Sequence, residues 1–466
     1  MTGHQPGPPP GRPVLAGTLT RDQLAQLGRT EGEPATLAAL AAGQHTRRLL
    51  LLRLLLDALP TAPAPVATLA GEHTALLESA ERAAPDAARR VMFYPLTGTW
   101  AERCAHRLAT GAGPAAARDL AHLGGLAAAS ALTAGLDFRT RVPVGGGRLA
   151  LPTLGALNTA APDGTPAELA AHDGRLTLRL PGDAPVTLTP DPAGHWRSPD
   201  PRWLTLHTLE GGPRPVLLDD LDPGRPAPRG AARPADGPPR YALRPAERAH
   251  WSELWRDALP LLRLGGAARA AELTLLNCVV PLLRPAGEHA GHTSSTSAGA
   301  FGAVLASTPP NAALFAAGLT HELQHAKLAA VAALNPLHHQ GPEARHWAPW
   351  RADPRPFDGL LHGAYAHLAL AGFWQQLALG LDDPAARETA WAAHCRCHTQ
   401  VGAVLPTLRA ARRLTDDGRV FVGAMAERHR QLGSPAPPEG HLVRARAYVE
   451  TARAVWLRQH ARGTVT

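Results

Sequence analysis

Residues 319–328, LTHELQHAKL, contain the pattern His-Glu-x-x-His at His321, Glu322 and His325. On a helix, residues four apart leave the same face about one turn apart, so the two imidazoles can share one ion. Glu322 is rotated off that line and can lie beside the ion rather than on it. The pattern predicts a metal site and leaves two chemistries open: a zinc-bound water that cuts peptides, or an iron centre.

The competing interpretation is a chance match on a solvated helix face, in an alanine-rich chain with 23 histidines. The flanking residues argue against chance, because they are apolar on several sides of the helix and predict that it is buried. Burying a His-Glu-His cluster without a function is costly, since polar groups taken out of water need partners. The flanking residues are Phe315, Leu319, Leu323, Leu328 and Val331.

A third ligand is needed, and two common zinc-protease patterns do not supply it. One requires glycine three residues after the second histidine and histidine three further on, where this chain has Leu328 and Val331. The other requires a glutamate on a following helix, whereas the nearest glutamate, Glu343, falls in the loop sequence HHQGPEARHW. The sequence therefore offers no good third ligand for a zinc protease.

Residues 347–374, WAPWRADPRPFDGLLHGAYAHLALAGFW, offer other ligands. His362, at the start of an apolar helix, is the best candidate. His367 lies five residues further, more than one helical turn away, and we interpret it as a histidine of the core or the rim. Asp353 and Asp358 are carboxylate alternatives, which would complete the two-histidine, one-carboxylate site of non-haem iron oxygenases.

Arg351 and Arg355 lie in a proline-rich loop just before this helix. A guanidinium can bind a carboxylate through two parallel hydrogen bonds, so it suits a small dicarboxylate. An arginine-bearing loop that leads into a metal ligand indicates a clamp for a cosubstrate. We favour Arg355, because the prolines beside it fix the backbone. A surface ion pair is the competing interpretation for either arginine.

A second cluster, HCRCH at 394–398, places two cysteines and two histidines together. Helical neighbours one and two residues apart do not share a face, so the four side chains cannot all bind one ion. We therefore predict buried cysteines and exposed histidines without a metal role.

The elements that must position these residues follow from the hydrophobic pattern, which predicts an α+β fold that is predominantly helical. Residues 1–14 are predicted to form a disordered tail and 15–136 a helical N-terminal region. A small antiparallel β region is expected over 137–222, followed by a Pro/Gly/Arg linker or loop over 223–240. The HExxH metal-binding catalytic domain is assigned to 241–466, with a zincin-like order of strand and helix.

Around the motif, strands are predicted over 272–283 and 301–307, separated by a loop. A helix is predicted from the N-cap Asn311 to Asn335, where Pro336 stops it. An edge strand before such a helix can hold an extended peptide, although this is an analogy. His289, His292, Ser294 and Ser295 in the intervening loop are candidates to line that groove, and a plain surface loop is the alternative.

Composition narrows the function classes. The net charge of +8 comes almost entirely from arginine, since Lys327 is the only lysine, and no arginine block is interleaved with aromatic residues. Nucleic-acid binding is therefore disfavoured. The apolar run at 49–60 is too short to span a bilayer and is interrupted by Arg53 and Asp57. Four cysteines do not make a disulfide framework, and the start of the chain has no signal-peptide pattern. We therefore expect a cytoplasmic protein.

Taken together, LTHELQHAKL and WAPWRADPRPFDGLLHGAYAHLALAGFW resemble the HExxH-motif 2-oxoglutarate-dependent peptide β-hydroxylases. This family is associated with ribosomally synthesised, post-translationally modified peptides. The stretches FYPLTGTWAERCAHRL, VPVGGGRLALPTLG, HTSSTSAGAFGAVLAS and RRLTDDGRVFVGAM also resemble family stretches, in the family order. One departure is Thr320, where the family has an apolar residue. Its hydroxyl can bond back to the helix backbone.

The resemblance implies an Fe(II) centre held by His321, His325 and His362. The enzyme would use 2-oxoglutarate and O2 to hydroxylate the β-carbon of a residue in a precursor peptide with leader and core segments. Arg355 or Arg351 would bind the distal carboxylate of 2-oxoglutarate. Glu322 would orient a ligand or a water.

Two alternatives stay open, because the same three histidines could hold zinc. The first is a gluzincin-like zinc metallopeptidase with Glu322 as the general base. The second is a non-catalytic, metal-stabilised protein that recruits a peptide to another enzyme.

Overall fold

The computed structural model describes residues 17–111, 113–225, 242–282, 294–297, 299–341 and 345–460. The structure is 58% helical, with 13 helices and three small sheets among the described residues. This confirms the prediction of a predominantly helical α+β fold. The predicted tail over 1–14, and all but the first three residues of the predicted linker, lie outside the described residues. None of the described helices combines the length and apolar composition needed to cross a membrane.

The N-terminal region contains six helices: α1 (Arg21–Gly28), α2 (Pro34–Ala58), α3 (Ala64–Ala83), α4 (Pro85–Met92), α5 (Pro95–Ala109) and α6 (Gly113–Thr133). Local chemistry explains where they start. Thr20 and Gln23 form a capping box that opens α1. A proline occupies the first or second position of α2 to α5, where its missing N–H leaves no helical hydrogen bond unmade.

Ten strands follow: β1 (Phe138–Pro143), β2 (Arg148–Leu151), β3 (Gly155–Asn158), β4 (Pro166–His172), β5 (Arg175–Arg179), β6 (Val186–Pro190), β7 (Trp196–Arg197), β8 (Trp203–Thr205), β9 (His207–Leu209) and β10 (Val216–Leu218). β1, β4, β5, β6 and β7 form one antiparallel sheet in that order, and β2, β3 and β8 form another. In β4, Ala167, Leu169 and Ala171 are buried while their neighbours are not, which is the two-residue period of a half-buried strand.

The remaining elements are α7 (Pro245–Leu264), α8 (Ala267–Glu272), β11 (Cys278–Leu282), β12 (Ser294–Ser295), β13 (Ala303–Ser307), α9 (Ala312–Leu334), α10 (Phe357–Gly380), α11 (Pro384–Arg409), α12 (Asp416–Gln431) and α13 (Glu439–His460). β11 and β13 are parallel and belong to a mixed sheet of order β12-β13-β11-β10-β9. The predicted boundary at residue 222 therefore falls between two neighbouring strands of one sheet.

The elements next to the motif differ in detail from their predictions. The strand predicted over 272–283 is confined to β11, because the residues before it are helical. Arg269 and Glu272, one turn apart on α8, form a buried ion pair at 3.0 Å that favours the helical turn. The strand predicted over 301–307 begins at Ala303, after Gly302 with φ of 92°. The predicted helix from 311 to 335 is confirmed as α9.

The helix α9 lies in the largest hydrophobic core, between α7 and α10. Leu24 and Leu27 of α1 and Leu37 of α2 belong to the same core, so the N-terminal helices support the motif helix directly.

A buried ionic cluster fixes the face of α9 that points away from the motif histidines. The Lys327 ammonium donates to Glu272 Oε1 at 2.5 Å and to the carbonyl of Glu31 at 3.0 Å. The amide of Gln324 donates to both oxygens of the same Glu272 carboxylate, each at 3.1 Å. Burial lowers the pKa of Lys327 to about 8. These contacts set the rotation of α9 about its axis, and therefore the direction of His321 and His325.

Candidate metal centre

The motif residues lie in the middle of α9. Asn311 caps the helix, its side chain accepting a hydrogen bond from the Leu314 N–H at 2.9 Å. The helix ends at Asn335, because Pro336 cannot continue it. His321 and His325 leave the same face one turn apart, with ring centroids separated by 4.7 Å. The structure therefore places the two predicted ligands side by side.

His362, the predicted third ligand, lies on the second turn of α10 and faces the same space. Its Nδ1 is 3.3 Å from Nδ1 of His325, while Nε2 of His325 is 3.1 Å from Nε2 of His321. The three rings are thus brought together, with His325 in the middle. The two close approaches use opposite nitrogens of His325, so one ion shared by all three requires a turn of the His325 or His362 ring.

The chemistry of this donor set suits a transition metal. A ligating imidazole must be neutral, and burial, helped by the neighbouring His367, lowers the pKa of His321 to about 3. His321 therefore offers a lone pair near pH 7 without first losing a proton. Nitrogen donors of this kind bind zinc, copper and iron, so the set fits both metals considered from the sequence.

His367 also borders the site. Its Nδ1–H donates to the carbonyl of Gly363 at 2.8 Å, which leaves Nε2 as the lone-pair nitrogen. The ring stacks on Trp350 at 4.5 Å between centroids and lies 5.5 Å from the His321 ring. Burial lowers the pKa of His367 to about 4. The position matches the expected rim histidine, with the addition that a backbone contact fixes its tautomer.

Glu322 lies beside the histidines and not between them. Its Oε1 accepts a hydrogen bond from the hydroxyl of Ser294 at 2.7 Å. The side chain is buried, and it faces the same cavity as His321 and His325. This position would allow Glu322 to act on a group bound in the cavity.

The two arginines converge on one carboxylate. Arg351 Nε donates to Asp353 at 2.7 Å, and Arg355 Nη1 donates to the other oxygen of Asp353 at 3.2 Å. Arg355 is the less exposed of the two, with 26% of its side chain accessible against 54% for Arg351. Its Nε is buried and makes no hydrogen bond within the described part of the chain.

The backbone holds Arg355 in place. Its N–H and C=O both pair with His346 in a two-residue bridge, at 2.8 and 2.7 Å. The guanidinium lies against Gly359, where a Cβ would meet Nη2 at 3.0 Å. One turn further along α10, a Cβ on Gly363 would lie 2.5 Å from the indole of Trp350. Gly359 and Gly363 thus form a bare strip on α10 that accepts two large side chains.

The carboxylate alternatives for the third ligand lie in different places. Asp353 is held by the two arginines. Asp358, in the first turn of α10, accepts from His338 at 3.3 Å and lies 4.0 Å from Nε2 of His362. Asp358 is therefore within reach of the histidine cluster, whereas Asp353 is engaged elsewhere. Glu343, His289 and His292 lie outside the described residues.

One cavity of about 590 Å³ is bordered by the three predicted histidine ligands, Glu322 and both arginines, whereas Asp353 does not line it. Its volume is within the usual size of a small-molecule site. The edge strand β12 and the two residues after it supply one wall. Among the described residues, the cavity is lined by Ser294, Ser295, Thr296, Ser297, His321, Glu322, His325, Ala326, Ala329, Trp350, Arg351, Arg355, Asp358, Gly359, His362, Gly363 and His367.

Three features of this site were missed or misjudged from the sequence. Trp350 and the pair Gly359 and Gly363 received no role, although the four-residue spacing of the glycines on an apolar helix was a usable signal. The hydroxyl of Thr320 does not bond back to the helix, since Oγ1 is buried and makes no hydrogen bond within the described residues.

The HCRCH stretch differs from its prediction. The two cysteines are buried, as predicted, but His394 is also buried and its Nδ1–H donates to the carbonyl of Ala371 at 2.9 Å. His398 stacks on His429 at 3.9 Å between centroids. The prediction of exposed histidines is therefore wrong, because α11 packs against α10 and α12 on the histidine side.

Another group with metal-ligand spacing lies on the antiparallel β region. Asp137, His172 and Asp173 each place one ligand atom within 4.8 Å of the others, and all three are exposed. The Asp137 hydrogen bond raises the pKa of His172. Exposed groups of this kind commonly pair with one another without an ion, so the arrangement is a surface ion pair.

A scan against protein-family models and a search of curated proteins gave no match for this chain.

Proposed function

We propose that this protein is an Fe(II)- and 2-oxoglutarate-dependent oxygenase. Its substrate would be a ribosomally made precursor peptide, which it would hydroxylate at the β-carbon of one residue. The observation that carries the proposal is a pair of arginines, both bonded to Asp353, that line the same cavity as the three histidines. Peptide hydrolysis by a metal-bound water uses no dicarboxylate cosubstrate, whereas an oxygenase that uses 2-oxoglutarate needs a cationic group for the distal carboxylate.

In this proposal His321, His325 and His362 hold the iron, with a turn of one ring completing the set. Iron bound with 2-oxoglutarate and O2 supplies the oxidising chemistry that places a hydroxyl group on the peptide. Arg355 binds the distal carboxylate of 2-oxoglutarate through donors that face Gly359, and Arg351 adds charge at the rim. Binding requires Asp353 to give up, or share, its contact with Arg355.

Glu322 and Ser294 form the side of the site opposite the arginines. Their hydrogen bond joins the motif helix to the edge strand β12. An extended peptide that adds to a sheet edge there would run past the histidines, which supports a peptide as substrate. The cavity wall of Ser294 to Ser297 then supplies small polar groups for the peptide backbone, and we propose the cytoplasm as the place of reaction.

The gluzincin-like metallopeptidase is the second candidate, and Glu322 beside the two histidines is the observation that favours it. Its weakness is the third ligand. Such a site uses a glutamate, and Glu322 is the single glutamate among the described residues that line the cavity. Among the described residues, the carboxylate paired with His362 is an aspartate on the same helix, Asp358, at 4.0 Å.

An anaerobic titration tests the proposal. Fe(II) and then 2-oxoglutarate are added to the metal-free protein, and visible absorbance is followed for a charge-transfer band. We expect a band that is lost in His362→Ala and weakened in Arg355→Ala. It should be unchanged in Arg446→Ala, an exposed arginine of α13 that does not line the cavity. A band that survives His362→Ala but not His367→Ala would reassign the third ligand to His367.

The opposite outcome is equally clear. If no band forms while zinc binds tightly at one ion per chain, the oxygenase proposal fails. Glu322→Gln then separates the remaining possibilities. If Glu322 is a general base, the substitution abolishes peptide cleavage. If the protein only recruits a peptide, neither the unchanged protein nor the variant cleaves it.

A further inference from the structure

A second cavity, of about 640 Å³, lies away from the motif and shares no lining residue with the first. It is bordered by α2, α4 and the segments that lead into β10 and β11. Four arginines line it, from three separate parts of the chain: Arg48, Arg89, Arg90 and Arg214. Asp86 is the one carboxylate among the described residues that border it.

Arg48 is buried and Arg214 is partly buried, and the hydrogen bonds of both side chains are to neutral groups. Arg48 is 8% exposed and donates to the carbonyls of Tyr94 and Gly299, at 2.8 and 3.1 Å. Arg214 donates to the carbonyl of Leu276 at 3.1 Å and to the side-chain oxygen of Asn277. Within the described ranges, no carboxylate oxygen lies within 4.0 Å of either guanidinium.

This arrangement is costly for the protein alone. A buried cation is stable when an opposite charge accompanies it, and carbonyl partners return only part of the lost hydration. Burial lowers the pKa of Arg48 to about 10 and also lowers the pKa of Arg214. A nearby acid, Glu102, pairs with Arg47 at 3.9 Å, and its charge raises the pKa of Arg48 by less than burial lowers it.

The cavity also has features of a binding site beyond its charge. His45 stacks on Phe93 with centroids 4.1 Å apart and forms a flat wall. Burial, with the charges of Arg48 and Arg214, lowers the pKa of His45, so this ring adds no third charge near pH 7. Arg90 stands at the exposed rim and makes no ion pair within the described part of the chain, so positive charge continues outward to solvent.

We propose that this cavity is a binding site for carboxylate-bearing ligands, in which Arg48 and Arg214 supply the buried charge and Arg90 attracts the ligand. The carboxylate could belong to the acidic side chains of a peptide or to a small free polycarboxylate. Both present the acceptor geometry that a guanidinium matches. The inference does not depend on the proposed oxygenase activity.

The site has a physical link to the first cavity. The carbonyl of Gly299, which accepts from Arg48, is two residues from Ser297, which lines the motif cavity.

Isothermal titration calorimetry of the metal-free full chain tests the proposal with three probes. They are citrate, a capped hexapeptide with three glutamates, and the same hexapeptide with glutamine in place of each glutamate. We expect one acidic probe or both to bind, and Arg214→Gln to weaken that binding at least about tenfold, the value of a charge-assisted hydrogen bond. The double variant Arg89→Gln/Arg90→Gln keeps the buried contacts intact and should weaken binding several-fold. This double variant tests the proposal if Arg214→Gln does not fold.

Two controls separate this site from other arginines. Arg446→Gln should bind as the unchanged protein does. Arg355→Gln should also leave this binding unchanged, because Arg355 lines the other cavity. Tighter binding of the glutamate peptide assigns the site to peptides, and tighter binding of citrate assigns it to small polycarboxylates. The proposal is overturned if neither acidic probe binds, or if the glutamine peptide binds as tightly as the glutamate peptide. It is also overturned if Arg355→Gln loses the binding while Arg214→Gln and Arg89→Gln/Arg90→Gln keep it.

Discussion

The helix α9 has two polar faces, a rear face that packs inside the protein and a front face that borders the motif cavity. The rear face buries real charge: Lys327 and Gln324 contact Glu272, which also pairs with Arg269. The front face carries His321, Glu322 and His325, which open onto a cavity of about 590 Å³. Both faces are rich in donors and acceptors, yet the rear face is closed on itself and the front face is not.

This difference shows how burial separates a structural cluster from a candidate site. At the rear, each charge has an opposite charge or a carbonyl within hydrogen-bonding distance, as buried ions require. At the front, imidazole rings and a carboxylate have open space beside them. Polar side chains gathered next to open volume lower the stability of the fold, because no contact within the protein compensates for them. Such an arrangement is typical of a binding site.

The largest effect is expected at the rear face. Glu272→Gln keeps the shape of the side chain but leaves Lys327 and Arg269 as two buried cations with no carboxylate. We expect a loss of about 3–5 kcal/mol in the free energy of unfolding, the usual cost of breaking a buried pair from one side. Chemical denaturation of the metal-free protein measures it.

His325→Gln is the matched variant on the front face, and it should cost far less stability because the side chain borders open volume and does not bridge two buried cations as Glu272 does. Equal losses in the two variants would remove the distinction between the faces.

A lowered histidine pKa is not confined to the front face of α9. His122, in α6, borders neither cavity, yet burial and the nearby Arg103 lower its pKa to about 4. Between pH 6.5 and 4 the unfolded chain takes up a proton that folded His122 refuses, so the unfolding free energy falls as the pH falls. Between pH 7 and pH 5, the free energy of unfolding should fall by about 2 kcal/mol less in His122→Gln than in the unchanged protein.

Denaturation curves at the two pH values provide the measurement. An identical pH dependence in the variant would mean that His122 takes up its proton in the folded state as readily as in the unfolded chain. The expected result shows that a neutral buried histidine is common in this fold. Open volume, and not the pKa, then distinguishes His321 and His367 from His122.

The sequence located much of the front face because its chemistry is local. His321 and His325 are related by one helical turn, and the proline-rich loop with Arg351 and Arg355 leads directly into the helix of His362. Helical spacing and chain proximity were enough to predict that these residues meet. The boundaries of α9 were equally local, since Asn311 and Pro336 act through the adjoining backbone.

What the sequence could not supply depends on distant segments meeting. The buried cluster joins Lys327 to Glu272 and to the carbonyl of Glu31, across 55 and 296 residues. The second cavity joins α2, α4 and the approach to β10. No periodic pattern relates such residues. The strand predicted from residue 272 begins only at Cys278 for this reason, because the burial of Glu272 in that cluster favours a helical turn over an extended segment.

The smallest effect is expected from the bare strip on α10, which forms the wall facing the histidines. Gly363→Ala would place a Cβ 2.5 Å from the Trp350 indole, a rigid ring that must move. Overpacking of this kind costs about 1–3 kcal/mol, and the gain from replacing a helical glycine returns about 0.5–1 kcal/mol. We expect a net loss on the order of 1 kcal/mol, with a change in tryptophan fluorescence as the stack on His367 is disturbed.

Gly423→Ala is the matched control, because a Cβ there meets nothing within 4 Å. It lies in the middle of α12 and should stabilise the protein by about 0.5–1 kcal/mol, the value of removing a helical glycine. If Gly363→Ala is stabilising to the same extent, Trp350 moves freely and the front wall is soft. If it is destabilising while metal binding also weakens, then the glycine strip, Trp350 and His367 act as one rigid support for the histidines. The front face is then held open by packing, whereas the rear face is held closed by charge.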